Sequence, residues 1–242
     1  MAKEIEREVV YYYDSHPTKE DLMGETSLHR DLTSYLALVL KWLFHGQVCS
    51  IHENLNFYQT DNYKEYPLAP DIAVIKGVER LPLTSWRVGK TGSAPQVVFE
   101  IASVETWKKD LQEKPGGYAQ MGVKEFFAYD PNDPTISRTS SRRLWGWHLE
   151  KATGEMHEMP LRSDGSLWSP HLESYLMPDR QYLRLYDGQW HRRLTEAEAK
   201  DKQAREETKR AEEEAEARRA AERRAEILAE KMRSLGIDPD SL

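Results

Sequence analysis

Residues 95–102 read Pro-Gln-Val-Val-Phe-Glu-Ile-Ala, a run that is apolar from Val97 onwards except at Glu100. Such a run is typical of a strand that lies inside a sheet with both faces covered. A helix is predicted near 105–121, and residues 124–129 have the pattern of a second buried strand. The order strand, helix, strand predicts a βαβ crossover and therefore a parallel pair of strands.

On either side of this unit, further patterns lead to an α/β prediction. Residues 27–45 carry apolar side chains at helical spacing, so we expect a largely buried helix there. Strand patterns occur at 47–59, 71–75, 143–150 and 182–186, and we interpret the last two as peripheral antiparallel strands. The predicted fold class is α/β, with a mixed central sheet flanked by helices and a long charged helix at the C-terminal end.

The amino-acid composition of the chain changes near residue 194. All seven tryptophans lie before it, whereas the stretch from about 195 to 233 is rich in Ala, Glu, Arg and Lys and contains no Gly or Pro. We therefore predict a core domain at 1–193 and a charged helical tail at 194–242. A short heptad seam in the tail leaves two interpretations, a solvated helix or a weak coiled coil; its residues are Ala225, Leu228, Met232 and Leu235.

Charge, cysteine content and hydropathy limit the class of protein. The net charge of −7 argues against bulk electrostatic binding of nucleic acid, although it allows a local basic groove. It also fits a site that concentrates carboxylates around a cation. The one cysteine, Cys49, cannot form an internal disulfide, and no apolar run approaches the roughly 18–20 residues of a membrane span. We expect a soluble cytoplasmic protein that does not bind membranes.

Two acids on apolar strands are the candidates for chemistry. Burial of Glu100 is costly unless a cation or hydrogen bonds compensate. Asp71 begins the strand pattern at 71–75, and acids on adjacent strands would suit one hard cation such as Mg²⁺ or Mn²⁺, which binds oxygen ligands. The backbone carbonyl of Ile101 is a third candidate ligand. The alternative is that Asp71 caps a turn and Glu100 pairs with a buried Arg or Lys.

A polar helix face follows the strand that carries Glu100. Asp110, Lys114 and Tyr118 are four residues apart and so share one side of the predicted helix. From there Lys114 could stabilise a pentacoordinate phosphate or lower the pKa of an attacking water. The alternative is an ordinary surface lysine in a helical ion pair with Asp110.

Together these segments resemble the Uma-two-type restriction endonucleases of the PD-(D/E)XK nuclease superfamily, over about residues 20–190. The resemblance is carried by the two acids, the helix face and the strand after it: Ala69-Pro70-Asp71, Val98-Phe99-Glu100-Ile101-Ala102-Ser103, then Asp110, Lys114 and Tyr118, then Gly122-Val123-Lys124-Glu125-Phe126-Phe127-Ala128-Tyr129-Asp130-Pro131. It implies a restriction-endonuclease-like core in which Asp71 and Glu100 bind the metal. It also matches Glu25, before the first helix, to an acidic position of the family.

The chain departs from the superfamily pattern at the lysine. The pattern places a lysine two residues after the strand acid, where this chain has Ala102, and the resemblance places it at Lys114 instead. Pro115 follows directly, so the helix is expected to kink or restart there. Lys108 or Lys109 is then the alternative.

Histidines and aromatic residues add little to this site. We interpret the histidines outside zinc-ligand spacing as surface or packing residues: His29, His52, His148 and His157. His29 lies one turn from Glu25, which it could orient. Trp145 and Trp147 suit packing on a sheet better than base stacking, and Cys49 suits a buried apolar position better than a reactive thiol.

The predicted function is that of a Mg²⁺-dependent endonuclease that hydrolyses phosphodiester bonds in DNA. In this prediction Asp71, Glu100, Lys114 and Glu25 form the catalytic set, and the protein is a homodimer. The alternative is an adaptor that keeps the nuclease fold without catalysis and oligomerises through its C-terminal helix.

Overall fold

The computed structural model describes residues 27–60, 66–79, 83–104, 106–137 and 140–234. Over these ranges one helix, five strands, two short helices and six strands follow in turn, and one long helix comes last. The helices are α1 Ser27–Leu43, α2 Trp107–Gln112, α3 Lys114–Met121 and α4 Glu196–Ser234. The strands are β1 Cys49–Glu53, β2 Asn56–Tyr58, β3 Ile72–Lys76, β4 Ser85–Arg87, β5 Val97–Ile101, β6 Glu125–Tyr129, β7 Leu144–Leu149, β8 Met156–Glu158, β9 Leu167–Ser169, β10 Ser174–Asp179 and β11 Tyr182–Tyr186.

A six-stranded sheet forms the centre of the core, in the order β1-β3-β5-β6-β7-β8. Only β5 and β6 are parallel among its neighbours in the described chain, and helices α2 and α3 connect them. The other pairs are antiparallel. The predicted mixed sheet and its parallel central pair are therefore present, because β5 and β6 are buried along their whole length and need cover on both faces.

Helices cover the two faces of this sheet separately. On one face α1 packs Leu36 and Leu40 against the β5 residues Val97 and Phe99. On the other face α3 packs Tyr118 and Met121 against residues that alternate with these, such as Val98 of β5. The side chains of a strand point to opposite faces in turn, so neighbouring β5 residues belong to different layers.

The predicted helix near 105–121 is two helices. α2 ends at Gln112, and α3 begins at Lys114 with Pro115 in its first turn. Proline has no N–H to donate and is tolerated in the first turn of a helix but not in its interior. The restart therefore lies where Pro115 predicts it.

The strands near the C-terminal side of the core differ in part from the prediction. β7 is not peripheral, since β6 and β8 flank it on its two sides. Gly146 of β7 lies against the ring of Phe127 in β6, and a Cβ added to this glycine would lie 2.9 Å from that ring. The absence of a side chain at Gly146 therefore allows β7 to pack closely on β6. β11 does lie outside the central sheet, in a three-stranded sheet ordered β11-β10-β9.

Contacts divide the described chain into two units, one up to Arg193 and one from Leu194. The second unit contains α4, whose start is a capping box: Thr195 Oγ1 accepts from the Glu198 N–H, and a Glu198 carboxylate oxygen accepts from the Thr195 N–H. No residue of α4 is buried. Ion pairs four residues apart lie along its exposed surface, such as Lys202 with Glu206 and Arg218 with Glu222.

Long apolar helices do not occur in the described part of the chain. None of its helices is both long enough and apolar enough to cross a membrane.

Candidate active site

Glu100 lies near the end of β5, on the sheet face that α3 covers. Its side chain is almost fully buried, with 3 % of the residue exposed. Glu100 Oε1 accepts a hydrogen bond from the Tyr118 hydroxyl and lies 2.8 Å from Lys114 Nζ. Burial raises the pKa of Glu100 to about 8; the charge of Lys114 opposes this rise, and the nearby carboxylate of Asp71 adds to it. The carboxyl group is thus held where its charged form is unfavourable without a cation.

Asp71 is brought beside Glu100 by the antiparallel register of β3 and β5. Ile72 is level with Phe99, so the preceding residue, Asp71, continues the register to Glu100. Asp71 is 8 % exposed, and its Oδ2 accepts a 2.6 Å hydrogen bond from the Ile101 N–H. That strong backbone contact fixes the carboxylate at the end of the sheet.

Lys114 is the lysine that contacts Glu100, and it also contacts a third acid, Asp110. Its Nζ lies 2.8 Å from Glu100 Oε1 and 2.8 Å from Asp110 Oδ1. The interpretation as an exposed lysine in a helical surface pair is therefore wrong, because the Asp110 side chain is only 1 % exposed and that of Lys114 17 %. The alternatives Lys108 and Lys109 are both exposed, and Lys108 lies over the ring of Trp107.

Asp110 is the site residue whose importance the sequence analysis understated. It is buried at 1 % exposure, and its Oδ2 accepts a 2.7 Å hydrogen bond from Thr106 Oγ1, four residues earlier. With Lys114 on its other oxygen, the carboxylate links α2 to the start of α3. The spacing of four between Thr106, Asp110, Lys114 and Tyr118 was the available signal, and the last two of these residues contact Glu100.

The sequence analysis interpreted His29 as a surface or packing residue, but it contacts one of the two acids. Its Nε2 lies 3.2 Å from Asp71 Oδ2, and its side chain is 15 % exposed. It is therefore a site residue and not a plain surface or packing histidine. Its contact with Asp71 spans 42 positions of sequence, so no local pattern points to it. Glu25, which His29 was expected to orient, lies outside the described residues.

The sequence analysis also considered Ile101, Trp147 and Cys49. Ile101 contacts the site through its N–H, which Asp71 accepts; its carbonyl as a metal ligand stays a prediction. Trp147 is 7 % exposed and stacks on Phe126 with ring centroids 4.8 Å apart, so it packs the core. Cys49 is half-buried, and burial raises the pKa of its thiol to about 11, which makes it unreactive near neutral pH.

Carboxyl groups outnumber ammonium groups at this site. Three buried carboxyl groups, those of Asp71, Glu100 and Asp110, face one ammonium group, that of Lys114. Within the described ranges no three side chains of His, Cys, Asp and Glu are grouped so as to hold a metal ion. Mg²⁺ keeps several waters and commonly binds one or two carboxylates. Asp71 and Glu100 offer oxygen donors of the kind that Mg²⁺ and Mn²⁺ bind.

The structure is thus an α/β domain with a mixed sheet, helices on both faces and two buried acids side by side at the end of neighbouring central strands. Comparison with known families agrees. The family model described as "Uma2: Putative restriction endonuclease" matches residues 18–169, which is more than half of the chain. The chain belongs to this Uma2 family, and the predicted resemblance is confirmed.

Comparison with solved structures gives a matching chain described as a "putative nuclease belonging to DUF820" from Anabaena variabilis. The two chains share 13 % sequence identity and superpose with a TM-score of 0.43, over 61 % of this chain and 75 % of the other. No curated protein matches the chain in sequence.

Proposed function

We propose that the protein is a Mg²⁺- or Mn²⁺-dependent endonuclease whose active site is formed by Asp71, Glu100 and Lys114. One observation carries the proposal: Lys114 Nζ touches a buried strand carboxylate, Glu100, beside the second buried acid. An ammonium group beside paired acids at the end of a sheet suits phosphodiester hydrolysis, in which negative charge grows on the phosphate.

Asp71 and Glu100 would hold the divalent cation, with the Ile101 carbonyl as a further ligand. When bound there, the cation would polarise the scissile phosphate and make a bound water more acidic. The Tyr118 hydroxyl donates to one oxygen of Glu100, and the Ile101 N–H donates to one oxygen of Asp71. Both carboxylates are therefore oriented before any ligand binds. Such preorganisation lowers the reorganisation needed during the reaction.

Lys114 would stabilise the charge that develops on the phosphate. The ammonium group keeps its proton, because the charges of Glu100 and Asp110 raise its pKa against the effect of burial. Asp110 anchors it from the preceding helix at 2.8 Å. Asp110 is thus a positioning residue, and His29 serves Asp71 in the same way from α1.

DNA is the substrate that we propose, since the family is described as restriction endonucleases. Cleavage of both strands of a duplex needs two active sites or two visits by one. We therefore propose a homodimer whose main contact lies outside the C-terminal helix, because a coiled coil of about two heptads is marginal alone.

Cleavage of supercoiled plasmid DNA, with Mg²⁺, with Mn²⁺ and with EDTA, tests the proposal. Glu100→Ala should abolish metal-dependent nicking. Glu113→Gln is the matched control, because Glu113 is an exposed acid between α2 and α3 and should leave cleavage unchanged. The proposal fails if purified wild type is inactive on DNA under all three conditions, or if Glu100→Ala cleaves as well as wild type.

The adaptor hypothesis has one observation in its favour. Lys114 pairs with both Glu100 and Asp110, and such a closed buried ion-pair network can be purely structural. A folded wild-type protein that neither cleaves DNA nor binds Mn²⁺ in calorimetry would favour that hypothesis over the endonuclease.

A further inference from the structure

A second polar cluster lies away from the candidate active site, around Glu125 at the start of β6. Glu125 is level with Val97 in the parallel register of β5 and β6, whereas Glu100 is level with Ala128. Three residues along a strand span about 10 Å. Because the two glutamates differ by an odd number of positions in register, their side chains also point to opposite faces of the sheet. The Glu125 cluster therefore lies near the opposite end of these strands from the candidate active site, and on the opposite face of the sheet.

This cluster lines a pocket of about 460 Å³, here called the Glu125 pocket. Its volume lies inside the range of about 300–1,000 Å³ that is typical of small-molecule sites. Five of its residues carry basic nitrogen groups: Lys124, His148, Lys151, Arg162 and His171. Several others are apolar, so the pocket combines a basic rim with an apolar wall.

Glu125 itself is held in place from within the protein. Its residue exposure is 2 %, its carboxylate accepts a hydrogen bond from the Ser169 hydroxyl, and the His171 N–H donates to it at 3.4 Å. Burial raises the pKa of Glu125 to about 7, so this acid offsets little of the surrounding positive charge below neutral pH. The residue supports the floor of the pocket and leaves the basic rim in excess.

The basic rim lacks partners for its lysines. Among the described residues neither Lys124 nor Lys151 forms an ion pair with an acid. Burial lowers the pKa of His171, and the charges of Lys76, Lys124 and Lys151 lower it further. An anion is the ligand that such a rim would attract.

An exposed indole stands beside this rim. Trp168 is 37 % exposed, and its ring packs against that of Tyr175, with the ring centroids 4.7 Å apart. Arg162 lies over the same Tyr175 ring at 5.0 Å, so the cation and the indole are placed on one aromatic support. An exposed indole beside cationic side chains can stack on a nucleobase while the cations bind its phosphate.

We propose that the Glu125 pocket binds a nucleotide, with the phosphate at the basic rim and the base stacked on Trp168. The nucleotide is either a free nucleoside phosphate or one unit of a single strand, since both present the same groups. The inference does not depend on the endonuclease activity.

Isothermal titration calorimetry of the full chain in EDTA and low salt tests this proposal, with adenosine 5′-monophosphate, inorganic phosphate and a single-stranded octanucleotide as probes. The double variant Lys124→Ala with Lys151→Ala should weaken nucleotide binding about a hundredfold, because each of the two charged contacts is worth about tenfold. Lys90→Ala with Lys108→Ala removes two other exposed lysines and should bind as wild type does.

Trp168→Leu provides an independent test of the base, since this exposed ring can be removed without opening the core. It should weaken binding of the monophosphate at least about fivefold and leave binding of inorganic phosphate unchanged. An octanucleotide that binds more than about tenfold tighter than the monophosphate identifies a single strand as the ligand. Similar affinities identify a free nucleotide, and either result supports the proposal.

Three results would overturn the proposal: no binding of monophosphate or octanucleotide by wild type, equal binding by the Lys124/Lys151 variant, or equal affinities for phosphate and monophosphate. Glu100→Gln should bind the nucleotides as wild type does. Loss of binding in that variant would instead place the nucleotide at the acidic site, so failure of this proposal can be told from failure of the proposed endonuclease.

Discussion

Replacement of Glu100 by Gln should make the metal-free protein more stable relative to wild type, and increasingly so as pH rises. Glu100 is 3 % exposed, and its pKa is raised in the folded state from 4.5 to about 8. Below about pH 4.5 the folded and unfolded chains both hold the proton. Between that pH and about 8 the unfolded chain has released it while the folded chain keeps it, so wild-type stability falls as pH rises.

The size of the effect follows from the proton difference. One proton bound by the folded state and not by the unfolded state costs about 1.4 kcal/mol of unfolding free energy per pH unit. Between pH 5.5 and 7.5, two pH units, the difference between Glu100→Gln and wild type should therefore grow by roughly 3 kcal/mol. Glu125, whose pKa is raised to about 7, titrates in both proteins and cancels in this difference.

Urea unfolding followed by tryptophan fluorescence at pH 5.5, 6.5 and 7.5, in EDTA, measures this quantity. The control Glu113→Gln should keep a constant difference from wild type, because that side chain is exposed. The reasoning is refuted if the Glu100→Gln difference does not change with pH. A large loss of stability in Glu100→Gln at pH 7.5 would instead show that the ionised Glu100 and Lys114 form a structural ion pair.

The other predictions concern metal, lysine and tail. Calorimetric titration with Mn²⁺ should show binding to wild type that Asp71→Asn abolishes, and unchanged binding would remove Asp71 from the site. Lys114→Met should lower the rate of DNA cleavage about 100-fold or more, as loss of one charge-stabilising donor does elsewhere, whereas Lys108→Met should cleave like wild type. Deletion from Thr195 onwards should leave a folded, dimeric core in sedimentation; a monomer at micromolar concentration, against a dimeric full chain, would place the interface in the tail instead.

The strands that carry the acids could be predicted because their signals are local. The apolar run around Glu100 and the apolar run after Pro70-Asp71 each predict a buried strand. In the structure these strands are neighbours, and their register places the two acids side by side. The break at Pro115 could be predicted for the same reason, since the constraint acts on neighbouring residues.

What escaped prediction depends on contacts between distant segments. β8 and β9 have three residues each and carry no periodicity that a sequence pattern could detect. The contact of His29 with Asp71 depends on how α1 lies on the sheet, and the burial of Asp110 depends on how α2 and α3 meet. A side chain on a predicted helix face can be assigned to that face, but only the packing of the whole core decides whether the face is exposed.

The placement of the lysine explains why this site has a third acid. A lysine two residues after a strand acid would have its direction set by the pleat, whereas here that position is the small Ala102. A lysine at the first residue of a short helix has a long, flexible side chain, and a partner must fix its end. Asp110 supplies that partner at 2.8 Å, and Thr106 fixes Asp110 in turn. Lys114 on α3 and the buried Asp110 on α2 therefore act together, and replacement of Asp110 should impair the proposed role of Lys114 while leaving Asp71 and Glu100 in place.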